Sequence, residues 1–132
     1  INQPLEEACF SQPNNTVTIW RDLPSYGVTV DMGEIHDGIA PHMSSYPEDR
    51  TFLPADAKPV DIEKRLRESG AEVMLCYLPV GSQKAVERYA RACLETGVSL
   101  INCMPVFIVS NDKWAAEFTE RKIPVIGDDV GL

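Results

Sequence analysis

Three apolar runs, each followed by a polar turn, recur between residues 72 and 129 and constrain the fold more than any other feature. The first run is Val73–Pro79; the turn Val80–Ser82 follows it, and an amphipathic segment begins at Gln83. This alternation of apolar strands with helices is typical of a parallel α/β sheet. Ligands of such sheets bind where strands end and helices begin, so the pattern predicts the place of a binding site before its chemistry.

The spacing of apolar residues assigns helices and strands throughout the second half of the chain. In order they are a helix over Val60–Ser69 with Asp61 as its N-cap, a strand over Val73–Leu78, a helix from Ser82 to Gly97, a strand over Val98–Met104 extended by Val106–Val109, a helix capped by Ser110, and a strand over Ile123–Ile126. On the first helix, Glu63 and Arg67 have the i,i+4 spacing of an ion pair. Because the strands are almost wholly apolar, we expect helices on both faces of the sheet.

The first half of the chain is less regular. Pro4–Phe10 predicts a short helix, since proline suits the first helical position. Thr16–Trp20 predicts a strand, and the alternation over Val28–Met32 predicts a second one. Residues 33–58 show little periodicity, and an irregular segment of this length is usually functional or disordered.

Length and charge exclude several classes of protein. A chain of 132 residues indicates a single domain, and its net charge of −8 argues against non-specific binding to nucleic acid or anionic lipid. No apolar run approaches the roughly 20 residues of a membrane span, and the N-terminus does not resemble a signal peptide. The widely spaced Cys9, Cys76, Cys93 and Cys103 include no CxxC pair, which predicts reduced, buried thiols in a cytoplasmic protein.

The turn Tyr77–Ser82 is the first of three features that could carry chemistry. The N–H groups at a helix N-terminus favour phosphate or carboxylate, and a glycine at Gly81 lets the backbone approach a ligand closely. The alternative is an ordinary strand-to-helix connection with a serine cap that binds nothing.

The other two features follow the next two strands. Asn102, in Asn102–Pro105, is polar within an apolar run, so its side chain either faces a ligand crevice or bonds to nearby backbone. Asp128 and Asp129 could bind a metal, a ribose or a lysine, or could belong to a solvated turn. His36 and His42 lack the spacing of a helical metal site such as HExxH, and the sequence has no GxSxG, GxGxxG or Walker motif.

Five stretches together resemble the inositol-3-phosphate synthase family, most closely its compact prokaryotic form. They are Phe10-Ser11-Gln12-Pro13-Asn14-Asn15-Thr16, Ile35-His36-Asp37-Gly38-Ile39, Tyr77-Leu78-Pro79-Val80-Gly81-Ser82, Asn102-Cys103-Met104-Pro105-Val106-Phe107-Ile108 and Ile126-Gly127-Asp128-Asp129. The stretches occur in family order and cover nearly the whole chain, so the series is specific where one motif alone would be weak.

The resemblance implies a cytoplasmic NAD-dependent isomerase that converts glucose 6-phosphate to inositol 3-phosphate, a step of inositol and phospholipid biosynthesis. The family oxidises the sugar at C5 with NAD, enolises the ketone, closes the ring by an intramolecular aldol reaction and reduces the product. It stabilises the enolate and alkoxide with lysines and a cation near the substrate phosphate, and it assembles as a homotetramer. The implied fold is a Rossmann-like α/β domain with a mostly parallel sheet, of which residues 1–132 form a partial NAD-binding domain.

The resemblance also assigns roles to individual residues. Asp128 and Asp129 would be catalytic, where cofactor, cation and lysines meet, and the identity of any metal ligands stays unknown. Asp37 would lie near the cofactor. The remaining cofactor-binding candidates belong to the first two strand-end turns: Cys76, Tyr77, Leu78, Pro79, Gly81, Ser82, Asn102, Met104 and Pro105.

Two departures from the family pattern set limits on these expectations. The glycine-rich first βα unit that holds the pyrophosphate does not precede residue 1, and the lysine-bearing loop does not follow Asp129. We therefore expect an internal fragment of the NAD domain, inactive as an isolated polypeptide. The alternatives are an NAD(P)-dependent dehydrogenase or reductase of the same fold and a non-catalytic Rossmann-like binding module.

Overall fold

The computed structural model describes residues 1–11, 22–39, 41–51 and 53–129. They fall into two compact units, Ile1–Val60 and Asp61–Leu132, and each unit is described by itself. The expectation of one partial NAD-binding domain stays a prediction.

The first unit contains little regular structure. Helix α1 spans Leu5–Ala8, which lies within the predicted Pro4–Phe10, but Pro4 is its N-cap rather than its first helical residue. Short 3-10 helices cover Pro41–Ser45 and Glu48–Arg50. The strand predicted over Val28–Met32 is wrong: within residues 22–39 the structure has only an isolated antiparallel bridge between Pro4 and Thr29. The predicted strand Thr16–Trp20 lies outside the described residues.

Helix α2 opens the second unit and spans Ile62–Ser69. The Asp61 carboxylate accepts a hydrogen bond from the Lys64 N–H at 2.8 Å, which confirms the predicted N-cap. Gly70 ends the helix with a φ of +66°, a left-handed conformation that suits glycine. The Glu63 carboxylate is held by both guanidinium nitrogens of Arg88 on the following helix, while Arg67 adds a favourable charge nearby.

Three parallel strands form an open sheet in the order β1-β2-β3, which confirms the predicted fold class. The strands are β1 at Val73–Cys76, β2 at Ser99–Asn102 and β3 at Val125–Gly127. Strand β2 stops at Asn102, so the predicted extension over Val106–Val109 is wrong. The Asn102 side chain binds the backbone of Met104 and Val106, the distant Asp128 binds the N–H groups of residues 108–110, and the chain turns away from the sheet there.

Helix α3 spans Gln83–Thr96, and helix α4 spans Asp112–Arg121. The predicted cap of α4 is displaced by one residue, since Asn111 rather than Ser110 accepts the hydrogen bonds of the Lys113 and Trp114 N–H groups. Arg91 joins the two helices: its guanidinium binds Glu117 in a bidentate ion pair and lies 4.5 Å from the centre of the Trp114 ring.

The hydrophobic core lies between the helices and one face of the sheet. Leu100 in the middle strand is 1% exposed, and Val86 of α3 and Phe118 of α4 are buried against the same cluster. Helix α3 connects β1 to β2, and helix α4 connects β2 to β3. Because such crossovers between parallel strands are right-handed, α3 and α4 lie on the same side of the sheet.

The opposite face of the sheet is exposed, which corrects the expectation that helices cover both faces. Leu75, Ile101 and Ile126 are paired across the three strands and are 61%, 37% and 64% exposed. Because side chains alternate between faces along a strand, these three form one apolar row, while their neighbours point into the core.

Candidate functional site

The carboxyl ends of the three strands bring the sequence-predicted turns together at one edge of the sheet. Two hydrogen bonds join the first turn to the second. The Cys103 N–H donates to the Cys76 carbonyl at 3.0 Å, and the Leu78 N–H donates to the Met104 sulfur at 3.0 Å. The edge of the second unit therefore contains eleven of the twelve candidate residues, all except Asp37.

The turn Tyr77–Ser82 is open to solvent. Tyr77 is 70% exposed and Val80 is 77% exposed. Ser82 occupies the N-cap position of α3, but its hydroxyl donates to the Pro79 carbonyl at 2.6 Å and makes no cap hydrogen bond to the helix. The predicted serine cap is thus a turn contact, and Gly81 completes the turn with a φ of +98°.

A cavity of about 250 Å³ lies beside this turn. Its lining consists of Met74, Leu75, Cys76, Tyr77, Leu78 and Tyr89. Three of these residues, Cys76, Tyr77 and Leu78, are among the predicted cofactor contacts. The cavity is mainly apolar and follows β1, an outer strand of the described sheet.

Asn102 is buried, and its polar atoms bind the protein itself. It is 1% exposed; its Nδ2 donates to the Val106 carbonyl at 2.8 Å and to the Asp128 carboxylate at 3.2 Å, and its Oδ1 accepts from the Met104 N–H at 3.0 Å. Of the two interpretations of this asparagine, the contacts favour the one in which it bonds to nearby backbone.

Gly127 allows the third strand to approach Asn102 closely. A Cβ at this position would lie 2.1 Å from the Asn102 carbonyl oxygen, and the residue has a φ of +97°. Only glycine fits both the contact and the left-handed backbone. The glycine of Gly127-Asp128-Asp129 is therefore explained by packing against the neighbouring strand.

The Asp128 carboxylate accepts hydrogen bonds from the loop that follows β2. Its Oδ1 accepts from the Ile108 N–H at 2.8 Å and the Val109 N–H at 2.9 Å, and its Oδ2 accepts from the Ser110 N–H at 2.7 Å. Partial burial alone would raise the pKa of Asp128, but these N–H donors outweigh it and hold the pKa below its ordinary value. The carboxyl group is accordingly an anion at neutral pH.

The remaining candidate residues differ in how exposed they are. Asp129 and Pro105 are exposed at the same edge, whereas Met104 is 3% exposed. Asp37 is exposed in the first unit, where the imidazole of its neighbour His36 binds Glu34 at 3.0 Å. Across the described ranges, no group of three histidine, cysteine or acidic side chains is placed to hold a metal ion.

The thiols of Cys76 and Cys93 are protonated at neutral pH. Burial raises the pKa of Cys76 to about 11 and that of Cys93 to about 12. None of the four cysteines, all of which are described, forms a disulfide. The expectation of buried thiols holds for Cys76 and Cys93 but is wrong for Cys9, which is exposed, and for Cys103, which is only half-buried.

The sequence predicts a strand over Val106–Val109 and a helix cap at Ser110, and it misses the loop that these residues form. Val106 and Ile108 are buried, while Phe107 between them is 70% exposed at the carboxyl edge. The N–H groups of the following residues bind Asp128, a long-range contact that no periodicity in 106–110 reports. The only available signal was the pair of polar residues at strand ends, Asn102 and Asp128.

Relatives match this chain over almost its full length. It is 40% identical over 126 residues to the inositol-3-phosphate synthase of Mycolicibacterium smegmatis, covering 96% of this chain and 33% of that protein. The proteins of the same name from Mycobacterium tuberculosis and Corynebacterium glutamicum are 38% and 37% identical over 126 residues, which again cover 96% of this chain and 33% of each relative. The chain is homologous to the inositol-3-phosphate synthases. It spans about a third of the length of these curated relatives.

Structural comparison finds a solved structure that matches nearly the whole chain. The chain resembles the crystal structure of a protein named Ari2 with a TM-score of 0.73 and 34% sequence identity, covering 99% of this chain and 35% of the other. No family model matches the sequence. Among the residues that the structure describes, no helix is both long enough and apolar enough to cross a membrane.

Proposed function

We propose that this chain forms part of the NAD site of a cytoplasmic inositol-3-phosphate synthase, which converts glucose 6-phosphate to inositol 3-phosphate. The observation that carries the proposal is the convergence of two family turns, Tyr77–Ser82 and Asn102–Pro105, at the carboxyl edge of a parallel sheet. In open α/β sheets this edge is where ligands bind. Homology to proteins of that name over 96% of the chain supports the same assignment.

The described edge fits the nicotinamide half of NAD better than its pyrophosphate. The lining of the cavity beside β1 is mainly apolar, and Tyr77 and Val80 offer exposed apolar surface to a flat ring. Tyr77, Leu78 and Gly81 would hold the cofactor, with Pro105 at its border. The bound cofactor supplies reversible hydride acceptance, whereas the protein supplies orientation and electrostatics.

The acidic residues after β3 would influence charge around the substrate. Asp129 is exposed at the edge and would face the region of the cation and the family's lysines. We propose the tetramer and the cation on the family resemblance. Four cysteines without a disulfide support a cytoplasmic location.

The proposed function can be tested with a chimera. The 126 matched residues of this chain replace the corresponding third of the M. smegmatis protein, and the purified chimera is incubated with NAD and glucose 6-phosphate. We expect inositol phosphate as product, detected by phosphorus NMR, and none when NAD is omitted. The unmodified M. smegmatis protein is the positive control.

A chimera that is folded by circular dichroism but forms no inositol phosphate would contradict the proposal. The result would then favour a dehydrogenase or a non-catalytic module. Oxidation of another sugar or amino acid with NADH formation would select the dehydrogenase. Every observation that fits the dehydrogenase or the non-catalytic module also fits the synthase.

A further inference from the structure

The loop between β2 and α4 is organised around a single carboxylate. Three successive N–H groups, those of Ile108, Val109 and Ser110, converge on Asp128 at 2.8, 2.9 and 2.7 Å. Successive backbone N–H groups that point at one centre form an anion-binding concavity, which in other proteins holds phosphate. In this chain the anion is an internal side chain, supplied by the end of the neighbouring strand.

Asn102 completes the same arrangement from the other end of the loop. Its Nδ2 donates to the Asp128 carboxylate and to the Val106 carbonyl, and its Oδ1 accepts from the Met104 N–H. Charge-assisted hydrogen bonds to a carboxylate are stronger than neutral ones, so the four donors fix the loop firmly. The loop therefore has one defined conformation, set by residues on two strands.

This conformation determines which side chain reaches the edge of the sheet. Val106 is 5% exposed and Ile108 is fully buried, whereas Phe107 is 70% exposed. The loop thus anchors two apolar side chains in the core and turns the aromatic ring between them outward. A change of one residue in register would bury Phe107 and expose its neighbours.

We infer that Asp128 is a positioning residue, whose anionic carboxylate fixes the loop 103–110 and presents Phe107 at the carboxyl edge. The inference rests on the proposed function, because it assigns that edge to the NAD site. It replaces a catalytic role for Asp128 with an indirect one. The carboxylate accepts four hydrogen bonds from the protein and acts on bound ligand through the loop.

Amide hydrogen exchange of the chain without cofactor tests the contact directly. In Asp128→Ala we expect at least about tenfold faster exchange at the Ile108, Val109 and Ser110 amides, the order expected when charge-assisted hydrogen bonds are lost. In Asp128→Asn the remaining oxygen can still accept from Ile108 and Val109, so the increase should be confined to Ser110. Asp112→Asn is the matched control, since it removes one exposed carboxylate from the first turn of α4.

Adding a free carboxylate to Asp128→Ala tests whether the anion itself, without its covalent link to the chain, is sufficient to hold the loop. Sodium formate should restore protection to the three amides of Asp128→Ala, whereas sodium chloride at equal ionic strength should not. Protection that persists in Asp128→Ala without formate would overturn the inference. Equal acceleration throughout α3 and α4 in Asp128→Asn would also overturn it, because the carboxylate would then support the whole unit rather than the loop.

The pH dependence of activity distinguishes positioning from proton transfer. In the M. smegmatis chimera, Asp128→Asn should lower kcat/KM at every pH while the profile keeps its shape. Loss of one limb of the profile would make Asp128 a proton-transfer group and overturn the inference. An inactive parent chimera would instead contradict the proposed function, and the exchange experiment would still decide the role of Asp128 in the loop.

Discussion

The first two turns at the carboxyl edge of the sheet are held in very different ways. In Tyr77–Ser82 one hydroxyl binds one carbonyl, and the side chains of Tyr77 and Val80 are mostly exposed. In the loop 103–110, the side chains of Asn102 and Asp128 bind the backbone at five positions, 104, 106, 108, 109 and 110. The first turn therefore presents exposed side chains, whereas the second loop is held by five side-chain hydrogen bonds to its backbone.

This difference indicates that the two segments have different roles in the proposed site. A preorganised loop lowers the entropy that binding costs, and an exposed turn leaves surface for contact. Two hydrogen bonds link them: the Leu78 N–H donates to the Met104 sulfur, and the Cys103 N–H donates to the Cys76 carbonyl at the end of β1. If the comparison is right, substitutions that reach the second loop should be far more damaging than substitutions in the first turn.

Gly127→Ala should have the largest effect, because its Cβ would meet the Asn102 carbonyl oxygen at 2.1 Å. Strain at this φ of +97° adds to the steric cost, so we expect a loss of at least about 3 kcal/mol in the free energy of unfolding. Gly70→Ala is the control, since its Cβ would have nothing within 4 Å and only the backbone strain remains. Urea denaturation measures both, and equal losses would contradict the account.

Asn102→Ala should follow, with a loss of about 2–3 kcal/mol, because the buried Met104 N–H and Val106 carbonyl lose their partner. The comparable change at an exposed site is Asn111→Ala, which removes the N-cap of α4 and should cost about 1 kcal/mol. Thermal unfolding of the two variants provides the comparison. A cost at Asn102 no greater than at Asn111 would show that the loop does not depend on it.

Acid should weaken the second loop through Asp128. The pKa of this carboxyl is held below its ordinary value, so its stabilisation is complete above the unfolded pKa and is lost as pH falls through the folded pKa. The difference in unfolding free energy between the wild type and Asp128→Asn should be constant above about pH 5 and shrink below about pH 4. A difference that grew on acidification would contradict this assignment.

Ser82→Ala should have the smallest effect, about 0.5 kcal/mol or less, because its hydroxyl makes one exposed hydrogen bond to Pro79. Loss of an N-cap would cost about 1 kcal/mol, so the variant also tests whether the hydroxyl caps α3. Asp61→Ala, which removes a true cap at 2.8 Å, is the comparison variant. Equal losses of unfolding free energy in the two variants would show that the Ser82 hydroxyl caps α3 after all.

The sequence predicts the elements of the second unit well where local periodicity decides them. Helix α3 follows from apolar residues at helical spacing, such as Val86, Ala90 and Cys93, all of which are fully buried. Its end follows from Gly97, which has a φ of +79°. These features depend only on residues close together in the chain.

Errors arise where a distant residue decides the local structure. Val106–Val109 has strand-like composition, yet hydrogen bonds from Asn102 and Asp128 hold it as a loop. The exposed row formed by Leu75, Ile101 and Ile126 is a second such error, because an apolar strand does not show which face of the sheet the helices cover. The sequence places the candidate residues at strand ends, but the partners of the polar ones, Asn102 and Asp128, required the fold.

The most direct test of the central claim maps NAD onto the chain by NMR. With NAD added to about 5 mM, a concentration at which weak binding is visible, we expect amide shifts at Tyr77, Leu78 and Gly81 and at Met104. ADP-ribose, which lacks nicotinamide, should shift these amides less. Shifts confined to the strand-end turns would support the account, whereas shifts along α4 with none at the turns would contradict it.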